Sequence, residues 1–89
     1  MFRVDWLDSA LNDLATMWSS ADSDLRMAIT AAAHAIEERL RVDAPNEGES
    51  RPGGRRIMFA PPLAVRYQIE RDGLTTTVLH VRLFRRPTK

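Results

Sequence analysis

Phe2-Arg3-Val4-Asp5-Trp6 alternates apolar and polar side chains, the period of a half-buried strand, and the spacing changes directly afterwards. From there Leu7, Leu11, Leu14 and Trp18 recur at helical intervals. Asp8 and Ser9 are placed to cap or complement the positive end of the first turn, and the helix is predicted to end near Ser19-Ser20. Ser20-Ala21-Asp22-Ser23 reads as a turn that offers Asp22 or Ser23 as the next cap. Leu25, Ile29, Ala32, Ala33, Ile36 and Leu40 then mark one face of a second helix running to about Val42, and the Ala31-Ala32-Ala33 run lets a neighbouring element approach closely. The two helices are expected to form an antiparallel hairpin.

Residues 43–54 hold two prolines and three glycines with no apolar period, so neither helix nor strand is expected there. A loop of that length points to ligand contact or mobility. Three strand signals follow. Arg55-Arg56-Ile57-Met58-Phe59-Ala60 is closed by Pro61-Pro62, which cannot donate ladder hydrogen bonds. In the next, Leu63, Val65, Tyr67 and Ile69 alternate with Ala64, Arg66, Gln68 and Glu70. Arg71-Asp72-Gly73 reads as a tight hairpin turn into a last run from Leu74 to about Phe84.

The order strand, helix, helix, three strands predicts an α+β domain, β-α-α-β-β-β, spanning residues 1–89, with the helical hairpin packed on one face of a small, mainly antiparallel sheet. If Ile57, Phe59, Val65, Tyr67, Ile69, Leu79, Val81 and Leu83 point at the helices, alternation sends Arg56, Met58, Arg66, Gln68, His80, Arg82 and Phe84 to the open face.

Composition narrows the functional classes. Eighty-nine residues, 44% of them hydrophobic, suffice for one core, and a chain of this size buries only about 60–65% of its unfolded surface. No cysteine is present, so neither a disulfide framework nor a thiolate metal site is available, and His34 and His80 fall in different segments. No metal or other cofactor is expected. The apolar stretches are too short to span a bilayer, and Asp5 and Asp8 stand where a signal peptide needs positive charge, so the chain reads as cytoplasmic with no membrane partner.

The net charge of +1 conceals a split: residues 1–50 carry ten acids and four bases, a balance of −6, whereas residues 51–89 carry nine bases and two acids, a balance of +7. Such asymmetry suggests that the second half meets a polyanion or an acidic protein. Twelve of the thirteen bases are arginine, which suits forked recognition of phosphate or carboxylate.

This order of elements, with Gly48-Glu49-Ser50-Arg51 and Gly54-Arg55-Arg56 in the loop, Val65-Arg66-Tyr67-Gln68-Ile69 in the middle strand and Leu79-His80-Val81 followed by Arg85-Arg86, resembles the RelE/ParE superfamily over nearly the whole chain. The resemblance implies the toxin of a type II toxin–antitoxin pair, held inactive in a hetero-oligomer by a small antitoxin wrapped around it. It also implies one of two targets on one fold: messenger RNA on the ribosome, cut by RelE-like toxins, or DNA gyrase, poisoned by ParE-like ones. RelE-like nucleases carry an arginine three residues before the tyrosine of the middle strand, where this chain has Ala64; Arg66 shares that face two residues further on. They also carry a tyrosine or a His-Tyr pair in a terminal segment, which here reads Arg85-Arg86-Pro87-Thr88-Lys89. The apolar-x-Val-x-x-x-Arg-Arg pattern of the last strand is similar to ParE-like toxins.

RNA cleavage on such a face requires a base for the ribose 2′-hydroxyl, cations for the charge building on phosphorus, and an acid for the leaving oxygen. Arg56, Arg66 and Arg82 are the candidate cations. Arginine stays charged, so the proton transfers fall to His80, with Glu49 in the loop as the alternative. Arg51, Arg55, Arg85 and Arg86 are candidate clamps for phosphate or carboxylate on RNA, gyrase or the acidic tail of the antitoxin. Phe84 can stack a base or anchor a partner's side chain. Tyr67, in phase with Val65 and Ile69, is read as core, and His34 as structural or solvated. Trp6 and Trp18 are read as packing residues that, if exposed, mark the groove for an amphipathic antitoxin helix. The leading expectation is a toxin that inhibits translation through ribosome-associated mRNA cleavage or binding. The alternatives are a non-enzymatic gyrase inhibitor and a degenerate member that binds only its antitoxin.

Overall fold

The computed structural model describes residues 1–84. Strand β1 (Arg3–Trp6) leads into helices α1 (Asp8–Ser20) and α2 (Ser23–Asp43), a 3-10 turn at Ala44–Asn46, and strands β2 (Glu49–Arg51), β3 (Arg55–Ala60), β4 (Leu63–Ile69) and β5 (Thr75–Leu83). The five strands form one sheet in the order β1-β5-β4-β3-β2. Every pairing is antiparallel except that of β1 with β5, which is parallel and joins Arg3–Trp6 to Thr75–Val78. No helix among the described residues is long and apolar enough to cross a membrane.

Helix α2 supplies most of the helical side of the core. Its Ile29, Ala32, Ile36 and Leu40 are buried, in the helical spacing read from the sequence, and join Met58, Ala60, Leu63, Val65, Tyr67, Val78 and Val81 of the sheet in one cluster. Burying a side chain the size of isoleucine or leucine contributes about 1.5–3 kcal/mol. Asp22 caps the helix by accepting the Leu25 amide at 2.9 Å. Helix α1 buries only Ala10 fully and starts at Asp8 without a side-chain cap. The Leu7 amide is tied to the carbonyl of Val78 at 3.0 Å instead. Asp8 therefore complements the helix dipole rather than capping it. At the other end of α1, Arg26 donates to the carbonyls of Trp18 and Ser19 at 2.9 and 3.1 Å, satisfying two orphan acceptors while its guanidinium lies 4.4 Å from the centre of the Trp18 ring.

The segment 43–54 departs from expectation, because it contributes the 3-10 turn and β2, making four strands after the helices rather than three. Glu49-Ser50-Arg51 is exposed throughout and carries no apolar alternation, so only its backbone ladder with Arg55–Ile57 reveals it. Gly48 makes the entry into β2 with φ +66°, and a Cβ there would stand 2.2 Å from the Ile57 carbonyl oxygen. Tyr67, buried as expected, donates its hydroxyl towards the carbonyls of Ala44 and Glu47 and so pins the turn to the sheet. Burial raises its pKa above the ordinary phenol value, opposed by the hydrogen bond and charge of Arg56.

The facing of β3 is opposite to that expected. Met58 and Ala60 are buried, and Phe59 is 44% exposed. The cause is the two-residue Pro61-Pro62 connection, which pairs Ala60 with Leu63 and hence Ile57 with Arg66 and Met58 with Val65. Residues sharing a face thus have opposite parity on the two strands. In β5 the pairing passes from Arg66↔His80 to Tyr67↔Val78, so Leu79 is a bulge that absorbs a change of phase. Val78 and Val81 both face the core, whereas Leu79, expected inward, is half-buried. Leu83 lies opposite buried Leu63 yet remains exposed at the strand's end. Asp72 closes the β4–β5 turn by accepting the amides of Leu74 and Thr75 and the Thr75 hydroxyl at 2.8–2.9 Å, which holds its carboxyl below the usual range.

Candidate functional site

With the helices on one side, cross-strand partners define rows on the open side of the sheet. One row runs Glu49, Ile57, Arg66, His80; the next runs Phe59, Ala64, Arg82; a third runs Arg51, Arg55, Gln68, Thr77. Arg66, His80 and Arg82, expected together, do share this face, and all three are exposed. Arg51 and Arg55 lie on the same face towards the β2 edge, Arg51 bonding Glu49 at 3.2 Å. Phe84 follows β5, its amide held by the Pro62 carbonyl at 2.6 Å. Its ring tilts against Phe59 with the centroids 5.1 Å apart and the planes at 53°. The two rings, Ala64 and Ile57 contribute apolar surface to a shallow cleft of about 580 Å³ that Arg66, His80 and Arg82 also line.

Arg56 does not belong to this face. It stands opposite buried Tyr67, and its guanidinium donates to the carbonyls of Glu47 and Gly48 at 3.0 and 3.2 Å. The reversed facing of β3 converts it from an expected phosphate ligand into a brace for the turn before β2. Arg85 and Arg86 lie outside the described residues.

Ile57, Phe59 and Leu83, expected to face the helices, line the cleft instead, and Asp13 joins them unanticipated. Phe59 was expected in the core, although the length of the Pro-Pro connection was sufficient to turn it outward. Asp13, from α1, reaches the edge of β5: its Oδ2 accepts the Val81 amide at 3.4 Å and lies 4.0 Å from Nδ1 of His80. Nothing near Asp13 in sequence announces a contact 67 residues away. Glu49, the alternative proton carrier, sits in β2 at the far end of the row from His80 and is paired with Arg51. Among the described residues no group of three or more metal-ligating side chains is assembled.

On the helical side, Trp6, Leu11, Leu14, Trp18, Ile29 and Ala33 line a second groove of about 560 Å³ between α1 and α2. Trp6 is half-buried, its indole donating to Glu37 at 2.7 Å, while Trp18 and Leu11 are exposed. His34 lines the same groove.

No protein-family model matches the sequence, and no curated protein matches it. Solved structures do. A chain of the chromosomal ParDE toxin–antitoxin system from P. aeruginosa aligns with a TM-score of 0.77 at 15% identity, over 96% of this chain and 98% of that one. The RelBE2 toxin–antitoxin complex of Mycobacterium tuberculosis aligns at 0.70 with 16% identity, over 92% and 96%. The isolated RelE toxin of E. coli aligns at 0.52 with 18% identity, over 98% and 88%. The likeness extends over almost the whole of each chain, and the protein has the RelE/ParE fold.

Proposed function

We propose that this chain is the toxin of a type II toxin–antitoxin pair, acting in the cytoplasm on messenger RNA at the ribosome, by cleaving it or by occupying it. The observation that carries the reading is the convergence of Arg66, His80 and Arg82 around the Phe59–Phe84 pair on the uncovered face of the sheet. Arginines supply charge and forked donors for phosphates, exposed aromatic rings stack unpaired bases, and an imidazole can carry a proton. The cleft therefore offers a single strand phosphate contacts, a stacking surface and one proton carrier. The groove between the helices, with Trp18 at its rim, suits the apolar side of an antitoxin helix, and the basic face suits an acidic tail of the same partner.

The fold similarity to ParDE and RelBE2 structures supports the toxin reading, and one feature favours the rival target. Ala64 occupies the centre of the face, between Phe59 and Arg82, where the resemblance to nucleases calls for another arginine. A non-enzymatic gyrase poison would use the same surface for protein contact. Expression of the chain without a partner, followed by incubation of the purified protein with a translation system and with gyrase, tests both. Growth arrest with cut messenger RNA is the expected result. Gyrase trapped on cleaved DNA would transfer the reading to the rival, and unchanged growth with neither activity would leave only antitoxin binding.

A further inference from the structure

Asp13 is the one acid lining the open-face cleft among the described residues, beside Arg66 and Arg82. A carboxylate there works against binding of a polyanion, so its position calls for another role. The geometry supplies one. Leu7 anchors the start of α1 to Val78, and Oδ2 of Asp13 accepts the amide of Val81, so the carboxylate is held over the β5 edge. The same oxygen lies 4.0 Å from Nδ1 of His80, longer than a hydrogen bond, as catalytic pairs often are before substrate binds. The bulge at Leu79 brings His80 opposite Arg66 on the cleft side of the same strand.

We propose that Asp13 is a positioning residue that fixes His80 with Nδ1–H towards α1 and the Nε2 lone pair towards the cleft, so that His80 acts as a base. The inference rests on the RNA reading above. A neutral imidazole carries its proton on one nitrogen, and the partner of the other nitrogen decides which. With RNA in the cleft, Nε2 takes the proton of a ribose 2′-hydroxyl as that oxygen attacks the adjacent phosphorus. The bond from phosphorus to the 5′-oxygen of the next nucleotide breaks, and the departing oxygen takes a proton from water. The products are a 2′,3′-cyclic phosphate and a 5′-hydroxyl, and the new imidazolium faces the Asp13 carboxylate.

The test is nitrogen NMR of the labelled full chain about two pH units above the ordinary histidine value of about 6.5. Wild type should show His80 as the Nδ1–H tautomer, and Asp13→Ala should convert it to Nε2–H while amide shifts away from α1 and β5 stay in place. In the cleavage assay His80→Ala should lose about a hundredfold and Asp13→Ala about tenfold, and Asp13→Ala should cost nothing further once His80 is alanine. The same tautomer in wild type and Asp13→Ala, or full additivity of the two losses, overturns the inference. A tautomer switch in a protein that neither arrests growth nor cuts RNA would sustain the positioning of His80 and sink the RNA reading instead, so the two failures are distinguishable.

Discussion

Arg66 on β4 and His80 on β5 face each other across an antiparallel pair, and the next pair along, Tyr67 with Val78, leaves Leu79 unpaired. Through that offset, a cation and an imidazole stand side by side on the open surface while Tyr67, Val78 and Val81 remain in the core. Replacing Arg66 and Arg82 together with alanine should abolish growth arrest while the unfolding free energy stays within about 0.5 kcal/mol per substitution, as for exposed side chains elsewhere. Growth curves and thermal melts of the same preparation check it, and unfolding of the double variant would show that these arginines support the sheet.

Arg56→Ala should behave in the opposite way. The loss of the two carbonyl contacts at Glu47 and Gly48 should cost about 1–3 kcal/mol, measured by chemical denaturation. Activity per folded molecule should change little, because this guanidinium points to the turn.

Strand facing explains what was legible in the sequence and what was not. The helices, the β3 and β4 boundaries and the grouping of Arg66, His80 and Arg82 followed from periodicity alone, because α2 and β4 each bury one regular face. Arg56 and Phe59 were misplaced because alternation fixes which residues share a face, not which face is buried. That choice came from the two-residue Pro61-Pro62 connection, whose pairing of Ala60 with Leu63 could have been counted. The Leu79 bulge and the Asp13 contact had no such cue, since one is a register shift that alternation does not show and the other comes from a distant helix. Strand β2 was hidden because its stability is in backbone ladder bonds, which leave no apolar signature.

Thr76→Val should stabilise the protein. Thr76 is fully buried opposite Ile69, and its hydroxyl is the one buried side-chain polar atom without a partner among the described residues. Removing an unsatisfied hydroxyl at nearly constant volume should add about 1 kcal/mol, or roughly 4–8 °C in Tm. Calorimetry checks it, and a lowered Tm would mean that the hydroxyl has a partner in solution.

The buried phenol of Tyr67 predicts a loss of stability in alkali. Its pKa is raised in the fold, chiefly by burial, so the contribution is complete below the unfolded value of about 10 and is lost as pH rises through the folded value. Wild type should therefore weaken above about pH 10, whereas Tyr67→Phe, less stable at neutrality for want of its two carbonyl contacts, should lack that step. Denaturant midpoints across the alkaline range decide the point.

The parallel pairing of β1 with β5 sets an order of events during synthesis. The strand made first has no ladder partner until residues 75–78 exist, and the surface that bears Arg66 lacks His80 and Arg82 until the same strand is extended. In the folded protein β5 lies between β1 and β4, so the edge formed by β1 and the cleft both depend on it. One strand thus completes two things at once: a chain that lacks β5 has neither a ladder partner for β1 nor two of the three side chains proposed to meet RNA.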